Sequence, residues 1–209
     1  MRLDPAGLPF IIGALALAVV SGAAIGWPLA VPFLILGGFF VFFFRDPERV
    51  APSERDTVVL SPADGRVLVA GPAVASAAPA GEWQQISIFL SPMDVHVNRV
   101  PVSGRITNVS FRPGKFLVAS NHDAATVNER SEIWIDHHGQ AVVARQIVGF
   151  LARRVVCRAE TGMTVRAGDR YGVMKFGSRM DVFVPLTATL AVTVGQTVRG
   201  GETVIAVLH

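Results

Sequence analysis

The sequence predicts a mainly β protein built from duplicated small hairpin or barrel-sandwich units, preceded by an amino-terminal apolar helical hairpin. No charged residue occurs from Pro5 to Phe44. After Pro52 the chain changes to short apolar runs separated by Gly, Pro, Asn and Asp, without a long amphipathic helix. We therefore expect a membrane-associated helical hairpin over residues 1–50 and a β-rich domain over residues 51–209.

The uncharged segment is too long for one straight membrane span. As a single helix it would measure about 60 Å, which is about twice the hydrocarbon thickness of a bilayer. Gly26-Trp27-Pro28 divides it into two apolar pieces that are each just long enough to cross. The positive-inside rule predicts that both ends lie in the cytoplasm. The arginines that flank the segment are Arg2, Arg45, Arg49 and Arg55.

Three other structures would also account for an apolar segment of this kind. A cleaved signal peptide is disfavoured because the apolar run continues well past Ala23-Ala24. A buried pair of core helices is a second alternative. A re-entrant hairpin that enters only one leaflet remains open, since each half is short and the second contains Pro28 and Pro32.

The body of the chain contains eleven predicted strands, many of them rich in Val and Ile. Their spacing is too short for βαβ units, which favours a β sandwich or barrel. The predicted strands are Thr57–Leu60, Arg66–Ala70, Gln85–Leu90, Gly104–Phe111, Glu132–Ile135, Ala141–Val148, Val155–Arg158, Tyr171–Phe176, Met180–Val184, Thr187–Val194 and Thr203–Leu208.

An internal repeat indicates that the body is duplicated. Gly162-Met-Thr-Val-Arg-Ala-Gly-Asp169 recurs as Gly195-Gln-Thr-Val-Arg-Gly-Gly-Glu202, and each copy precedes a short apolar strand. The pattern is typical of a hairpin whose glycines occupy the turns. A weaker echo links Ser61–Val67 with Val100–Ile106. Two copies imply a duplicated small sandwich or barrel.

The charge and cysteine content exclude several classes of protein. The formal charge is +3, and the arginines are scattered rather than gathered into the basic stripe of a nucleic-acid reader. A mildly basic protein suits an anionic membrane surface better. Cys157 is the sole cysteine, so it cannot form an internal disulfide, and nothing indicates an oxidising compartment.

Three segments carry candidate catalytic residues. Asp64 lies in the turn Ser61-Pro-Ala-Asp-Gly65. His96 lies in a dense polar segment, where alternation along an extended strand places it on one face with Asp94 and Asn98. The third segment contains Gly177-Ser178, which interrupts two apolar strands at a position where neither residue helps packing.

Ser178, His96 and Asp64 together supply a hydroxyl, an imidazole and a carboxylate, the groups that activate a serine nucleophile. The strand-turn-helix elbow of α/β-hydrolases is missing around Ser178. The carbonyl of Gly177 is another electrophile within reach of the hydroxyl. Attack there would convert the peptide bond into an ester by an N-to-O acyl shift, and glycine tolerates the strained backbone this requires.

No metal site is predicted. A metal would need ligands at strand or helix spacing with converging carboxylates, and the remaining histidines lack that pattern. We interpret them as loop residues without a catalytic role: His122, His137, His138 and His209.

Several motifs closely resemble the phosphatidylserine decarboxylases, in particular their short, single-domain bacterial and archaeal branch. The similarity runs along nearly the whole chain. It rests on the apolar segment ending in Phe-Arg-Asp-Pro, Ser-Pro-Ala-Asp-Gly, Phe89-Leu-Ser-Pro-Met-Asp-Val-His-Val-Asn-Arg-Val-Pro101, Arg112-Pro-Gly-Lys115, Asn128-Glu-Arg130 and Lys175-Phe-Gly-Ser-Arg-Met-Asp181.

The resemblance implies a proenzyme that cuts itself between Gly177 and Ser178. Residues 1–177 would form the β chain and residues 178–209 the α chain, with the two chains remaining associated. Ser178 would become a covalent pyruvoyl group, the electron sink for decarboxylating phosphatidylserine to phosphatidylethanolamine. His96 and Asp64 would orient and deprotonate the reacting groups. The implied location is the cytoplasmic face of the cell membrane, with membrane lipid as partner, no nucleic acid, and a homo-oligomer left open.

The sequence departs from longer members of the family in two places. They carry Leu-Gly-Ser-Thr at the cut site, where this chain has Phe176 and Arg179 around the Gly-Ser pair. They also carry a second histidine three residues after the first, where this chain has Arg99. One histidine would then serve both self-cleavage and decarboxylation, or another group shares the work. Arg179 could bind the lipid phosphate or the departing carboxylate.

A biotin carrier module of a membrane decarboxylase is the alternative function. Val173-Met-Lys-Phe176 resembles the segment in which such modules present their biotinylated lysine, which would make Lys175 the attachment site. This alternative leaves Asp64, His96 and the Gly-Ser pair unexplained. A soluble pyruvoyl amino-acid decarboxylase is a third option, against which the uncharged amino terminus argues.

Overall fold

The computed structural model describes residues 2–52, 56–119, 121, 123–150 and 155–209. Arg55 and His122, which were named above, lie outside the described residues. The chain divides into two compact units, Met1–Glu48 and Arg49–His209.

The amino-terminal unit is a pair of apolar α-helices. A short 3-10 helix, Pro5–Gly7, leads into α1 (Leu8–Ala24), and α2 (Trp27–Phe43) follows after a break at Gly26, where φ is 134°. The strands β1 (Arg2–Leu3) and β2 (Arg45–Asp46) pair antiparallel. Small residues let the helices approach, since a Cβ on Gly37 would lie 3.7 Å from that of Ala14.

This helix pair exposes large apolar side chains, among them Ile12, Val19, Val20 and Ile35. Within the described residues, the helical stretch Pro5–Ala24 is long and apolar enough to cross a membrane, whereas Trp27–Phe43 is shorter. The predicted helical hairpin with its break at Gly26-Trp27-Pro28 is therefore confirmed as an apolar helix pair.

The body contains fourteen described strands and one short helix, α3 (Ala124–Val127). The strands are β3 (Val58–Leu60), β4 (Gly65–Pro72), β5 (Gln84–Leu90), β6 (Val97–Arg99), β7 (Gly104–Arg112), β8 (Arg130–His137), β9 (Gln140–Ile147), β10 (Val156–Cys157), β11 (Thr164–Val165), β12 (Arg170–Val173), β13 (Ser178–Val184), β14 (Thr189–Leu190), β15 (Thr197–Val198) and β16 (Val204–Val207).

Eight of these strands form one antiparallel sheet in the order β11-β7-β8-β9-β13-β5-β4-β15. The sheet curls into a half-barrel. Two three-stranded sheets complete the body, in the orders β10-β12-β6 and β14-β16-β3. The prediction of a mainly β body is therefore confirmed.

The inner face of the large sheet carries the hydrophobic core. Alternation along each strand sends every second side chain to this face. On β13 these are Met180, Val182 and Val184, and all seven residues of this strand are buried. Facing residues on the neighbouring strands include Ile86, Ile88, Leu90, Ile133, Ile135, Val142 and Ala144. A central strand buried on both faces fixes the position of its first residue, Ser178.

The internal repeat forms matching strands at the two ends of this sheet. In the first copy, Val165 of β11 pairs opposite Gly104 of β7. In the second copy, Val198 of β15 pairs opposite Gly65 of β4. The two segments of the weaker echo, Ser61–Val67 and Val100–Ile106, contain the starts of β4 and β7, with which β15 and β11 pair. One duplicated pair of strands therefore explains both the repeat and the weaker echo.

Strand ends were the least accurate predictions. Thr187–Val194 is a strand only at Thr189–Leu190, because the amide of Ala188 bonds to the carbonyl of Pro185 in a turn. The strand predicted over Tyr171–Phe176 ends at Val173, since Phe176 has a positive φ. The sequence patterns also missed β11, β15 and α3, which are short, whereas β6 lies in the segment around Asn98 that was predicted to be an extended strand.

Replacing Gly104 should destabilise the body because the neighbouring strand leaves no room for a side chain. A Cβ on Gly104 would lie 2.2 Å from the carbonyl oxygen of Asp136. Gly104→Ala should therefore lower the free energy of unfolding by about 1–3 kcal/mol, measured by thermal or denaturant unfolding. Gly71→Ala is the matched control, because Gly71 has nearly the same φ (159° against 158°) with no atom within 4 Å of its Cβ. Equal stability of the two variants would contradict this explanation.

Candidate active site

The turn before Ser178 is strained. Strand β12 ends at Val173, and β13 begins at Ser178 itself. Between them Phe176 and Gly177 both have left-handed backbone conformations, with φ of 56° and 74°. Glycine adopts this conformation freely, but a bulky residue such as Phe176 does so at a cost on the order of 1–3 kcal/mol. The chain is thus distorted directly before the Gly177–Ser178 peptide bond.

The hydroxyl group of Ser178 is buried and has no hydrogen-bond partner among the described residues. An unsatisfied buried polar group costs about 1–3 kcal/mol, so most native structures avoid one. The side chain lies on the inner face of the sheet with Met180, opposite Leu90 of β5. Packing therefore places this hydroxyl in the interior without giving its oxygen a structural hydrogen bond.

His96 contacts the same turn with one ring nitrogen. The ring is fully buried, and Nδ1 lies 3.0 Å from the carbonyl oxygen of Asp94. Because a carbonyl oxygen only accepts hydrogen bonds, we assign the ring proton to Nδ1. The amide of Gly177 donates to Nε2 at 3.4 Å. The structure thus brings His96 to the turn that contains the Gly177-Ser178 pair, with an unprotonated nitrogen at the amide of Gly177.

The carboxylate of Asp64 forms an ion pair and a hydrogen bond with residues other than Ser178 and His96. One carboxylate oxygen lies 2.6 Å from Nη2 of Arg49, and the other accepts the amide of Gly200 at 2.8 Å. Arg49 also pairs with Glu202 at 3.3 Å. Among the described residues, the structure does not bring Asp64 into hydrogen-bonding contact with Ser178 or His96. Its carboxylate instead ties Arg49 to the turn of the second repeat, and its catalytic role stays a prediction.

Arg179 lies on the face of β13 opposite to Ser178. Its guanidinium group forms a two-pronged ion pair with Asp181, at 2.6 and 3.3 Å, and donates to the hydroxyl of Ser87 at 2.9 Å. The ion pair is buried. Arg179 also lines a cavity of about 540 Å³ on that face. Its substrate-binding role stays a prediction, and its position separates it from the hydroxyl of Ser178.

Sequence reasoning missed Gln146, which joins the site from β9. Gln146 pairs opposite Met180, so its side chain lies on the same face as Ser178, and Nε2 donates to Oδ1 of Asn98 at 2.8 Å. The Oε1 of Gln146 and the Nδ2 of Asn98 are both buried without a partner in the described part of the chain. A glutamine inside the otherwise apolar run of a buried strand is the sequence signal that could have identified it.

The other histidines that the structure describes make contacts with residues outside the candidate site. His137 is the last residue of β8 rather than a loop residue, and it is buried with its ring nitrogens 2.7 and 2.6 Å from the carbonyl oxygens of Ser103 and Asp56. His209 contacts Thr189. Within the described residues, no group of three or more His, Cys, Asp or Glu residues could hold a metal ion.

Known proteins similar to this chain share one description. The family model named phosphatidylserine decarboxylase matches residues 36–206. The phosphatidylserine decarboxylase proenzyme of Granulibacter bethesdensis is 45% identical over 97% of this chain and 84% of its own length. That of Pelodictyon phaeoclathratiforme is 43% identical over 90% of both chains, and that of Geotalea daltonii is 41% identical over 96% of this chain and 94% of its own.

These matches confirm the resemblance that the motifs indicated, and they give the biotin-carrier alternative at Lys175 no support. They extend across the strained turn, His96 and the central strand. The word proenzyme indicates a precursor that is cleaved, and the named substrate is a phospholipid, which suggests association with a membrane. This chain belongs to the phosphatidylserine decarboxylase family.

Proposed function

We propose that this chain is a proenzyme that cuts itself between Gly177 and Ser178 and then decarboxylates phosphatidylserine to phosphatidylethanolamine and carbon dioxide. One observation carries the proposal: Nε2 of His96, which carries no proton, accepts the amide of Gly177, and the next residue, Ser178, has a buried hydroxyl with no partner among the described residues. A positioned base next to an otherwise unused nucleophile is the arrangement that nucleophilic catalysis needs.

In the first step His96 accepts the proton of the Ser178 hydroxyl. The hydroxyl oxygen of Ser178 attacks the carbonyl carbon of Gly177 at the same time. The carbon–nitrogen bond breaks, the amine nitrogen of Ser178 takes up a proton, and an ester joins the two residues. The strain at Phe176 supports this step, because a distorted ground state is closer in energy to the tetrahedral intermediate.

In the second step a base removes the α-proton of Ser178 and the Cβ–Oγ bond of Ser178 breaks, so that Gly177 leaves as a carboxylate that keeps the former serine oxygen and the electrons of that bond. The resulting dehydroalanine reacts with one water and releases ammonia, which leaves a pyruvoyl group at position 178. The pyruvoyl ketone supplies the electron sink for loss of carbon dioxide. The surroundings fit this small group, because position 178 is buried at the start of β13 with His96 beside it.

The sheet supports continued association of the two products. After the cut, β13 would belong to the α chain (178–209), while both of its neighbours, β9 and β5, would belong to the β chain (1–177). All seven residues of β13 are buried, so separation would expose the core. We therefore propose a stable complex of α and β chains.

The Asn98–Gln146 pair is proposed to bind the anionic oxygen that forms during the reaction. The buried Nδ2 of Asn98 is a donor without a partner in the described residues. A preorganised donor in a dry site strongly stabilises negative charge that develops during a reaction. The proposal that Asp64 is catalytic rests on the family resemblance. The proposal that Arg179 binds the substrate rests on its place next to Ser178 in the sequence. Their observed contacts with Arg49 and Asp181 favour structural roles.

The apolar helix pair is proposed to hold the catalytic body at the cytoplasmic face of the membrane. The exposed apolar side chains of α1 and α2 suit a lipid environment. Arg2 before the pair and Arg45 and Arg49 after it favour a cytoplasmic location for both ends. This location would give the enzyme access to a substrate that stays in the bilayer.

Ser178→Ala should abolish both processing and activity, because it removes the attacking oxygen. Denaturing electrophoresis should show only the intact 22.3 kDa chain, and vesicles of phosphatidylserine should release no carbon dioxide. Ser131→Ala is the control, since it removes a buried hydroxyl from β8 of the same sheet and should process normally. Cleavage or carbon dioxide release by Ser178→Ala would refute the assignment.

His96→Gln should slow self-cleavage by roughly 10²–10⁴-fold, the usual contribution of a general base. Cell-free synthesis followed by timed electrophoresis measures how fast fragment 178–209 appears. His138→Gln changes an exposed histidine and should cleave at the normal rate. A His96→Gln chain that cleaves normally but decarboxylates slowly would restrict His96 to the second reaction, and normal rates for both would remove it from the site.

Replacing Asn98 by Leu and Gln146 by Met together should slow the reaction without lowering stability. Two apolar side chains would remove a poorly satisfied buried amide pair, a change that is close to neutral for folding. Loss of an oxyanion donor should reduce the rate of cleavage or of decarboxylation by roughly 10²–10³-fold. A purely structural role predicts the reverse, with a lowered unfolding midpoint and unchanged rates.

A further inference from the structure

The outer face of the large sheet carries a cluster of arginines that the reaction does not use. This face lies opposite the hydrophobic core, on strands β7, β8 and β9. Its polar side chains, which we call the arginine face, are Asn108, Ser110, Arg112, Arg130, Glu132, Trp134 and Arg145. Ser178 points to the other side of the sheet, so the two features are separated by the sheet itself.

Two arginines of this face oppose each other directly. Arg112 of β7 pairs with Arg130 of β8 in the strand register. Like charges at directly opposite positions destabilise a sheet. Glu132 is the one acidic side chain among the described residues that line the cavity beside these arginines, and it forms an ion pair with Arg145 at 2.5 Å. Arg112 and Arg130 thus have no ion pair within the described part of the chain, so the fold maintains an unfavourable pair of charges.

Arg130 is fixed in place with an unused donor. Its Nη1 donates to the carbonyl oxygen of Thr126 at 2.6 Å, while its Nε is buried without a partner among the described residues. Burial, and after it the neighbouring guanidinium groups of Arg145 and Arg112, lower the pKa of Arg130 from its ordinary value. A bound anion would satisfy the donor and relieve the repulsion together.

A cavity of about 320 Å³ lies against these side chains and is also lined by Ser76–Ala80. Its volume is in the range of small-molecule sites. The cavity of about 540 Å³ shares Ser76 and Ala77 with it and is lined by apolar groups that include Val69 and Val74. A cationic pocket therefore adjoins an apolar one.

We propose that the arginine face binds a phosphate group, held by the guanidinium groups of Arg112 and Arg130. The planar donor fork of arginine matches the oxygens of phosphate, and two facing forks with one free buried donor provide a built site for a compact anion. The source of the phosphate is either free inorganic phosphate or the phosphodiester of a lipid headgroup. The adjoining apolar cavity suits the glycerol and acyl carbons of a lipid.

The test measures binding to the full-length Ser178→Ala chain in detergent micelles, so that neither processing nor turnover contributes. Isothermal titration calorimetry uses inorganic phosphate and dihexanoyl phosphatidylglycerol as probes, with chloride at equal ionic strength as the reference. Phosphatidylglycerol has no amine and therefore cannot react as a decarboxylation substrate. Tighter binding of the lipid than of phosphate would identify a headgroup site, and equal binding would identify a site for free phosphate.

Arg112→Gln and Arg130→Gln should each weaken binding about tenfold, because each removes a charged donor. Arg105→Gln is the matched control, since Arg105 lies on the same strand opposite an acid, Asp136, and should bind normally. In chloride buffer the double variant Arg112→Gln/Arg130→Gln should unfold at the same or a higher temperature than the parent, because the repulsion is gone.

Three results would overturn the proposal. The first is binding of neither probe beyond the chloride reference. The second is undiminished binding by the double variant. The third is a change in the oligomeric size of the double variant, measured by size-exclusion chromatography with light scattering, which would make this face a protein interface. None of them bears on self-cleavage, so failure here leaves the proposed function intact.

Discussion

The hydrogen bond from the amide of Gly177 to Nε2 of His96 is the contact on which the site depends. It exists because β13 lies between β5 and β9, which fixes Ser178 as the first residue of a buried strand. The carbonyl of Asp94 holds the proton on Nδ1 of the ring, and Nε2 therefore accepts the amide of Gly177. A shift of either segment would separate this base from the turn that contains Gly177-Ser178.

Placing a cut at the start of the central strand has a structural consequence. A break in a surface loop would leave both fragments loosely held, whereas a fragment that begins with β13 keeps a strand paired on both sides. The duplicated hairpins support this arrangement, because β15 of the second repeat and β11 of the first end the same sheet. If the proposed cut occurs, the sheet would hold the new chain terminus in the position of Ser178.

The sequence predicted this architecture well where the signal was local. The uncharged run before Arg45 specified the helices, and the repeat at Gly162 and Gly195 specified equivalent strands, because both depend on hydrophobicity and turn chemistry. Ser178 and His96 could be selected as polar residues within apolar segments. Gln146 was missed because its place near Ser178 depends on the register between β9 and β13, which a single sequence does not reveal.

For Asp64 and Arg179 the sequence indicated candidate site residues, but it did not predict the contacts that their side chains make. Both belong to motifs of the family, yet their side chains form ion pairs with Arg49 and Asp181 that no spacing along the chain indicates. Proximity to Ser178 in sequence does not imply proximity of side chains, because neighbours on a strand point to opposite faces. Residues that share a face, such as Gln146 and Ser178, are the better candidates for joint chemistry.

The most direct test of the account is the intact mass of purified, active protein. The account predicts two chains, residues 1–177 and residues 178–209, with the second lacking a free α-amino group because a pyruvoyl group occupies its first position. An active preparation that contains only the uncut 22.3 kDa chain would contradict it.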